Sequence, residues 1–378
     1  MEHQGLVCKK SALFVFILSL FISEIAFSQL DAPPVAGNPR AKITEEVGIT
    51  DITITYGRPD VNGREGKLWG PVVPNGFSTN NFITGKPTSP WRAGANDNTT
   101  ITFEHEVKFE GKPVKAGTYG LSMALYLPDS VIVILSSSAD AWGSFSYEAK
   151  NDVLRTTVKP TTLDKSVEYL KYEFINHKEK ECTVALQWEK LSIPFKIEVD
   201  VENIVVNKFR EQLKGYKGFS GVNLMQASQY CVNKGINLDE ALVWATKAVA
   251  AGNGGQKSFA TLNNLANAYA KMNRNVQADS VMNEAIPMAS AAQIGQYARQ
   301  LIALKRADKA LDVLNAAKTK FGEVFPISNS LIYAYSAKGD FKNALLFAQK
   351  AIEKVPNPGQ KPAIEALIVK LKEGKDIN

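Results

Sequence analysis

The chain has 378 residues, of which 45% are hydrophobic and 22% are charged. These are ordinary values for a globular protein, and the length predicts two domains. Residues 29–205 carry 19 Lys and Arg against 23 Asp and Glu, whereas residues 206–378 carry 23 against 13. This asymmetry favours domain docking or an acidic partner for the second half. The basic residues form no arginine cluster, which argues against a nucleic-acid partner.

Residues 1–28 are typical of a secretory signal peptide. Lys9 and Lys10 precede an apolar run over residues 12–22, and Ala26-Phe27-Ser28 supplies small residues before a cleavage site at Ser28/Gln29. The run is shorter than the about 20 residues that a membrane-spanning helix needs. We therefore expect an exported protein, periplasmic or secreted, with no membrane span after cleavage; an uncleaved anchor is the alternative.

Within the domain predicted over residues 29–200, a Pro- and Ala-rich lead-in over residues 29–39 is followed, from Ala41 to about Asp200, by the period-2 alternation of β-strands, broken by turn residues. This pattern predicts an all-β antiparallel sandwich as the N-terminal domain. Alternation from Ile101 to Phe109 predicts one continuous strand in which His105 shares the inward face, so we expect a structural histidine. Pro194 predicts that the last strand lies at an edge of its sheet.

Residues 201–221 are predicted to be a linker with a connecting helix, because an apolar stripe at helical spacing is followed by three closely spaced glycines. Cysteines occur on both sides of this linker, Cys182 in a predicted strand and Cys231 in a predicted helix. Each is expected to be a buried, unpaired small hydrophobic residue.

Residues 222–378 are predicted to be an all-α helical-repeat solenoid. Units begin near Val222, Phe259, Ala291 and Phe325, at spacings that bracket the 34-residue period of tetratricopeptide repeats. A capping helix is expected from Ala363 to Lys372. An irregular helical bundle is the alternative. Small residues recur in the second helix of each unit, at Ala241, Ala248, Ala278, Ala285, Ala310, Ala317, Ala344 and Ala351.

The N-terminal domain resembles DUF2911, a family of secreted bacterial proteins of unknown function. The resemblance is carried by Arg58-Pro59, Gly63-Arg64, Leu68-Trp69-Gly70, Trp91-Arg92, Asn96, Thr99 to Phe103, Ala116 to Gly120 and Trp142-Gly143. It implies an exported protein of Bacteroidetes-like bacteria whose sandwich is often followed by tetratricopeptide-like helices. It implies no established activity and no cofactor. The loop from Pro74 to Trp91 is longer than the usual loop of the family, and its role stays open.

Loops of the sandwich carry aromatic rings and guanidinium groups that could bind a ligand. The side chains of Trp and Arg can stack on a ligand, and Arg can also form two hydrogen bonds to a carboxylate or phosphate. The expected ligand is small or glycan-like, and a protein or peptide is expected on the helical repeats. Alternatively, the tryptophans plug the ends of the sandwich. The candidate ligand-binding residues are Arg58, Arg64, Trp69, Trp91, Arg92, Asn96, Asp97 and Tyr119.

Trp91 and Arg92 are adjacent, and adjacent strand residues point to opposite faces. We therefore expect Trp91 to pack inward and Arg92 to point outward with Asp97, as the exposed group that recognises an anion. A corner is expected at Gly94, and both side chains could face a ligand only if this corner broke the alternation.

No catalytic or metal-binding signature was found in the sequence. We expect a non-catalytic binding protein with no cofactor and no metal site. One alternative is a hydrolase that uses the carboxylates of Asp51 and Asp97 or of Glu104 and Glu106. The other is a structural envelope component without a ligand.

Overall fold

The computed structural model describes residues 37–252 and 254–378. The signal peptide that we predict lies outside the described residues. The chain divides into two compact units, with the division between Val201 and Glu202. The first unit consists of antiparallel sheets and the second of consecutive helices. The predicted fold class, a β-sandwich followed by a helical-repeat region, is confirmed.

Two larger sheets and a small hairpin make up the sandwich domain. One sheet has the strand order β1-β2-β5-β8-β9-β10, the other has the order β11-β12-β6-β7, and β3 pairs only with β4. The strands are β1 (Arg40–Val47), β2 (Thr50–Gly57), β3 (Thr79–Asn80), β4 (Pro87–Ser89), β5 (Thr100–Phe103), β6 (Val107–Phe109), β7 (Lys112–Val114), β8 (Gly117–Tyr126), β9 (Ser130–Ser136), β10 (Asp152–Val158), β11 (Thr161–Lys178) and β12 (Glu181–Val199).

Alternation places one apolar face of each larger sheet against the other. In β2, Ile52, Ile54 and Tyr56 are buried. The ring of Tyr56 meets the ring of Tyr172 in β11 edge to face, with centroids 4.8 Å apart. The backbone N–H of Tyr172 also donates to the Tyr56 hydroxyl at 3.1 Å. Residues from both sheets therefore share one core, as expected for packed sheets.

The alternating run from Ile101 to Phe109 is not one strand, so this prediction is wrong. Strand β5 ends at Phe103 in the six-stranded sheet, and β6 begins at Val107 in the four-stranded sheet. His105 lies in the bend between them, partly exposed, with Nδ1 3.1 Å from Thr50 Oγ1. A period-2 pattern continues across such a bend because each half still has one buried face.

Strand β12 is internal, so the edge position that we predict from Pro194 is also wrong. The pairing of β12 with β11 reaches Ser192, and its pairing with β6 begins at Ile197. Pro194 lies between these two ladders, at a position where its missing N–H interrupts neither of them.

Ten helices follow one another within the described part of the second unit. They are α1 (Val201–Lys214), α2 (Gly221–Lys234), α3 (Leu238–Val249), α4 (Phe259–Lys271), α5 (Asn275–Ala285), α6 (Ala291–Ala303), α7 (Ala307–Phe321), α8 (Phe325–Ala337), α9 (Phe341–Glu353) and α10 (Lys361–Lys372). In the region predicted as a linker, Val206 of α1 is buried in a cluster with Leu224 and Trp244. No helix of the described residues is long and apolar enough to cross a membrane.

Helices α2 to α9 form four successive pairs. The first helices of these pairs begin at Gly221, Phe259, Ala291 and Phe325, at or next to the starts of the predicted units. The alanines that define the repeat are all buried, at 5% exposure or less. Small side chains at these positions let the two helices of a pair approach closely, which explains their spacing in the sequence.

Cys182 and Cys231 are both buried and unpaired, as predicted. Burial raises the pKa of the Cys182 thiol to about 12 and that of the Cys231 thiol to about 11. Both side chains therefore act as small apolar core residues.

Candidate binding site

The corner after Trp91 is held by backbone hydrogen bonds and by two residues in the left-handed region. Trp91 exchanges both backbone hydrogen bonds with Met123 of β8, at 2.9 and 2.8 Å. Ala93 and Asn96 then have φ values of 49° and 63°. The chain therefore turns at these two residues. Gly94, where we expect the corner, is not one of the residues with a positive φ.

Gly94 is required for a different reason, namely close packing. A Cβ atom at Gly94 would lie 2.6 Å from Thr99 Oγ1 and 3.1 Å from the carbonyl oxygen of Gly57. The hydroxyl of Tyr172 donates to the carbonyl of Ala93 at 2.8 Å. Hydrogen bonds from both larger sheets therefore hold the corner in place. The corner forms a rigid base for the side chains that it carries.

Trp91 points into the sandwich, as expected, and belongs to a cluster of three indoles. Its ring lies 6.2 Å from that of Trp69 and 6.3 Å from that of Trp188 in β12. The indole N–H of Trp69 donates to the buried carboxylate of Glu189 at 2.6 Å. These contacts indicate that Trp69 and Trp91 hold the loops to the core, as in the alternative that the tryptophans plug the sandwich.

Arg58 and Arg64 are held by backbone carbonyl groups. Arg58 Nε donates to the Leu170 carbonyl at 3.0 Å, and Arg64 Nε donates to the Val61 carbonyl at 2.9 Å. The ring of Tyr119 is buried, and its hydroxyl donates to the Lys115 carbonyl at 3.0 Å. The structure does not bring these three side chains together, and the contacts that they make support local backbone structure.

Arg92 is partly buried against aromatic rings, which corrects the expectation of an outward-pointing side chain. Its guanidinium carbon lies 4.7 Å from the Phe145 ring centroid and 5.2 Å from that of Trp142. One N–H group donates to the carbonyl of Asn96. A Cβ atom at Gly143 would lie 2.3 Å from the guanidinium carbon, so the guanidinium in this position leaves no room for a side chain at residue 143. We call Arg92, Asn96, Trp142, Gly143 and Phe145 the Arg92 cradle.

Within the described residues, the guanidinium of Arg92 makes no salt bridge. Asp97 is exposed, and its nearest cation is Arg40, at 3.9 Å. Burial lowers the pKa of Arg92, and the attraction of Asp97 opposes this shift only in part. Of the five N–H donors of a guanidinium, the hydrogen bond to Asn96 uses one. The Arg92 cradle therefore holds a desolvated cation with unused donors.

Beside the cradle, three aromatic rings form a stack that reaches the surface. The ring centroids of Phe82 and Phe145 are 4.9 Å apart, and those of Phe145 and Trp142 are 5.8 Å apart. Phe82 is 77% exposed and Trp142 is 62% exposed, and neighbouring Ile83 is exposed as well. We call Phe82, Phe145 and Trp142 the ring stack. An exposed apolar cluster of this kind is typical of a binding surface.

The other two candidate residues lie next to this surface. Asn96 belongs to the cradle through its carbonyl, and its side-chain oxygen accepts from Asn38 at 3.3 Å. Asn96 and Asp97 also line a small cavity of about 260 Å³ together with Arg40 and Tyr56. The structure thus brings Arg92, Asn96 and Asp97 into one region.

Phe82 and Phe145 were missed in the sequence analysis, and Trp142 and Gly143 were noted only as part of the family resemblance. A usable signal was present, since Phe82-Ile83 is an apolar pair in a loop bounded by Gly76 and Gly85. The residues of the cradle come from two loops that are about 50 positions apart, so only the fold shows that they meet.

The helical unit offers a separate cavity of about 620 Å³. Its lining combines the amides of Asn267 and Gln300 with the ion pair between Asp279 and Arg306, in which the closest oxygen and nitrogen lie 2.7 Å apart. Tyr297 also lines the cavity, and burial raises its pKa to about 12. The cavity therefore combines hydrogen-bonding amides with a charged pair.

The sandwich domain matches the model of a known protein family. Residues 38–197 match the family described as "Protein of unknown function (DUF2911)", which confirms the predicted resemblance over this part of the chain. No curated protein matches the chain. No group of three or more His, Cys, Asp or Glu residues that could hold a metal ion occurs in the described part of the chain. The sandwich domain is therefore similar to a family whose description assigns it no activity.

Proposed function

We propose that this protein is a non-catalytic binding protein with two binding surfaces. The sandwich domain binds a small or glycan-like ligand at the Arg92 cradle and the ring stack. The observation that carries this proposal is a partly buried guanidinium without a salt bridge, next to rings that are open to solvent. Such an arrangement has both an apolar contact surface and free donors, as ligand sites usually do.

The alternative of a hydrolase has less support from the positions of its carboxylates. Asp97 faces Arg40, and the carboxylate of Glu104 accepts the backbone N–H of Asp51 at 3.1 Å. The side chains of Asp51, Asp97 and Glu104 are all exposed. A general acid usually lies in an environment that excludes water and shifts its pKa, and exposed carboxylates do not favour this role.

In this proposal, the helical unit is a tetratricopeptide-like solenoid that binds a protein or peptide. The four helix pairs with buried alanines support this assignment, since stacked pairs create an extended surface. The cavity of about 620 Å³ supplies amide and charged groups along this surface. An acidic peptide segment would complement the net positive charge of residues 206–378.

We further propose that the protein is exported and acts in the periplasm or outside the cell. The basic residues, apolar run and Ala-Phe-Ser sequence of residues 1–28 support export. N-terminal sequencing of the protein from its native host is expected to begin at or near Gln29. An intact Met1 terminus on protein from envelope fractions would contradict the proposal.

Binding by the sandwich domain can be tested on an array of neutral and acidic oligosaccharides. We expect the wild-type protein to retain at least one class of saccharide and Trp142→Ala to lose it, because this change removes the outer ring of the stack. Tyr216→Ala is the matched control, since Tyr216 is an exposed aromatic residue of the helical unit. Retention by Trp142→Ala, or no retention by the wild type, would contradict the proposal.

A further inference from the structure

We infer that the ligand of the sandwich domain is an acidic saccharide, whose carboxylate pairs with Arg92 while its sugar ring stacks on Trp142. This inference rests on the proposed function and narrows it to one chemical class. In this inference, Arg92 selects ligands that carry a negative charge, and the ring stack selects ligands that contain a sugar ring.

The charge argument begins with the surroundings of Arg92. A guanidinium that loses water is costly unless a carboxylate or another acceptor compensates for it. Here the closest carboxylate, that of Asp97, remains exposed and lies near Arg40 instead. An incoming carboxylate would supply the missing counter-ion, and the planar fork of arginine matches two carboxylate oxygens at once.

The ring stack determines the rest of the ligand. Phe82 and Trp142 are the outer members of the stack and the most exposed, so a large part of each ring remains accessible beside Phe145 and Arg92. A sugar ring can place its C–H face on such a ring and keep its hydroxyl groups in water, in the same way that amphipathic groups pack on aromatic faces. Thr84, Thr88 and Ser146 are exposed polar residues of the same two loops and suit a hydroxyl-rich ligand.

Gly143 positions the guanidinium. The backbone of Gly143 lies against Arg92, and a Cβ atom there would come within 2.7 Å of the guanidinium carbon and two of its nitrogens. Gly143→Ala would therefore displace the guanidinium while keeping its charge; because Gly143 has a φ of 68°, the added Cβ also strains the backbone next to Trp142. Gly143→Ala keeps the positive charge of Arg92 but moves it, whereas Arg92→Gln removes the charge.

The probe is polygalacturonate, a polymer of an acidic sugar, and its binding is measured by titration calorimetry at low ionic strength. Two control polymers test separately whether binding needs the negative charge and whether it needs the sugar ring. Fully methyl-esterified polygalacturonate keeps the sugar rings and removes the charge. Polyglutamate keeps carboxylates and has no sugar rings. We expect the wild-type protein to bind polygalacturonate about 10–100-fold more tightly than the methyl ester, the usual effect of losing a hydrogen-bonded charge partner. It should also bind polygalacturonate more tightly than polyglutamate, which has no sugar ring to stack on Trp142.

Arg92→Gln and Gly143→Ala are expected to lower the affinity for polygalacturonate by a similar factor and to abolish the preference over the methyl ester. Trp142→Ala should weaken binding of both sugar polymers. Arg64→Gln is the matched control, because it removes a partly buried arginine of the same domain outside the cradle. If Gly143→Ala fails to fold, Arg92→Gln decides the result.

Three outcomes would overturn the inference. Equal affinity for the methyl ester, lost in Trp142→Ala, would mean that the ligand is a neutral saccharide, and the proposed function would stand. Equal affinity for polyglutamate would mean that charge alone is recognised. Absence of polygalacturonate binding would exclude the acidic saccharide, and only absence of binding to the whole oligosaccharide array would exclude the proposed function as well.

Discussion

Replacing Trp91 with alanine is expected to lower the free energy of unfolding of the sandwich domain by about 3–5 kcal/mol, the usual cost of removing a buried aromatic side chain. Trp91 is 8% exposed and packs on Trp69 and Trp188, which belong to a loop and to strand β12. The substitution would leave a cavity between the corner and the opposite sheet. Urea unfolding followed by tryptophan fluorescence measures the effect, since only Trp244 of the tryptophans lies in the helical unit.

Trp142→Ala is the matched control for this prediction. The same atoms are removed, but Trp142 is 62% exposed, so we expect a loss below about 1 kcal/mol, as for most surface substitutions. Similar losses in the two variants would mean that Trp142 is part of the core. The ring stack would then be a structural element and not a binding surface.

The second large effect is expected for Glu189→Ala, which should lower the free energy of unfolding by about 2–4 kcal/mol, because hydrogen bonds to a charged group are removed. Glu189 is buried, and its carboxylate accepts the indole N–H of Trp69 and the backbone N–H of Gly66. Both donors belong to the loop that covers the indole cluster. The loop would lose its attachment to β12, and the fluorescence of Trp69 should shift to longer wavelength as water reaches it.

Glu173→Ala is the control for Glu189→Ala. Glu173 is an exposed residue of β11 and pairs with Lys171 at 2.9 Å, so its removal should cost less than about 1 kcal/mol. Glu189→Gln should have an intermediate effect because its amide oxygen can still accept one hydrogen bond. If Glu189→Ala is as stable as the control, the loop is held by the packing of Trp69 and not by the carboxylate.

Only part of the candidate site could be predicted from the sequence. The residue types of the site can be recognised within one short segment, whereas their arrangement depends on segments far apart in the chain. Arg92 and Asn96 could be chosen from the sequence, since Trp-Arg and Asn residues in a glycine-containing corner are typical of binding loops. Strand alternation then predicts an exposed Arg92, and this was wrong. The rings of Trp142 and Phe145 cover the guanidinium, and the gap at Gly143 admits it. These residues follow β9, far along the chain.

The sequence by itself determined the division into a β and an α part and the starts of the helix pairs, because periodicity records which face of each element is buried. It also indicated the two buried cysteines. Only the tertiary structure decided that the run from Ile101 to Phe109 changes sheets, that β12 is internal, and that Arg92 lies against the rings of Trp142 and Phe145. Periodicity reports burial within one element, whereas these three features depend on which distant segment supplies the neighbouring atoms.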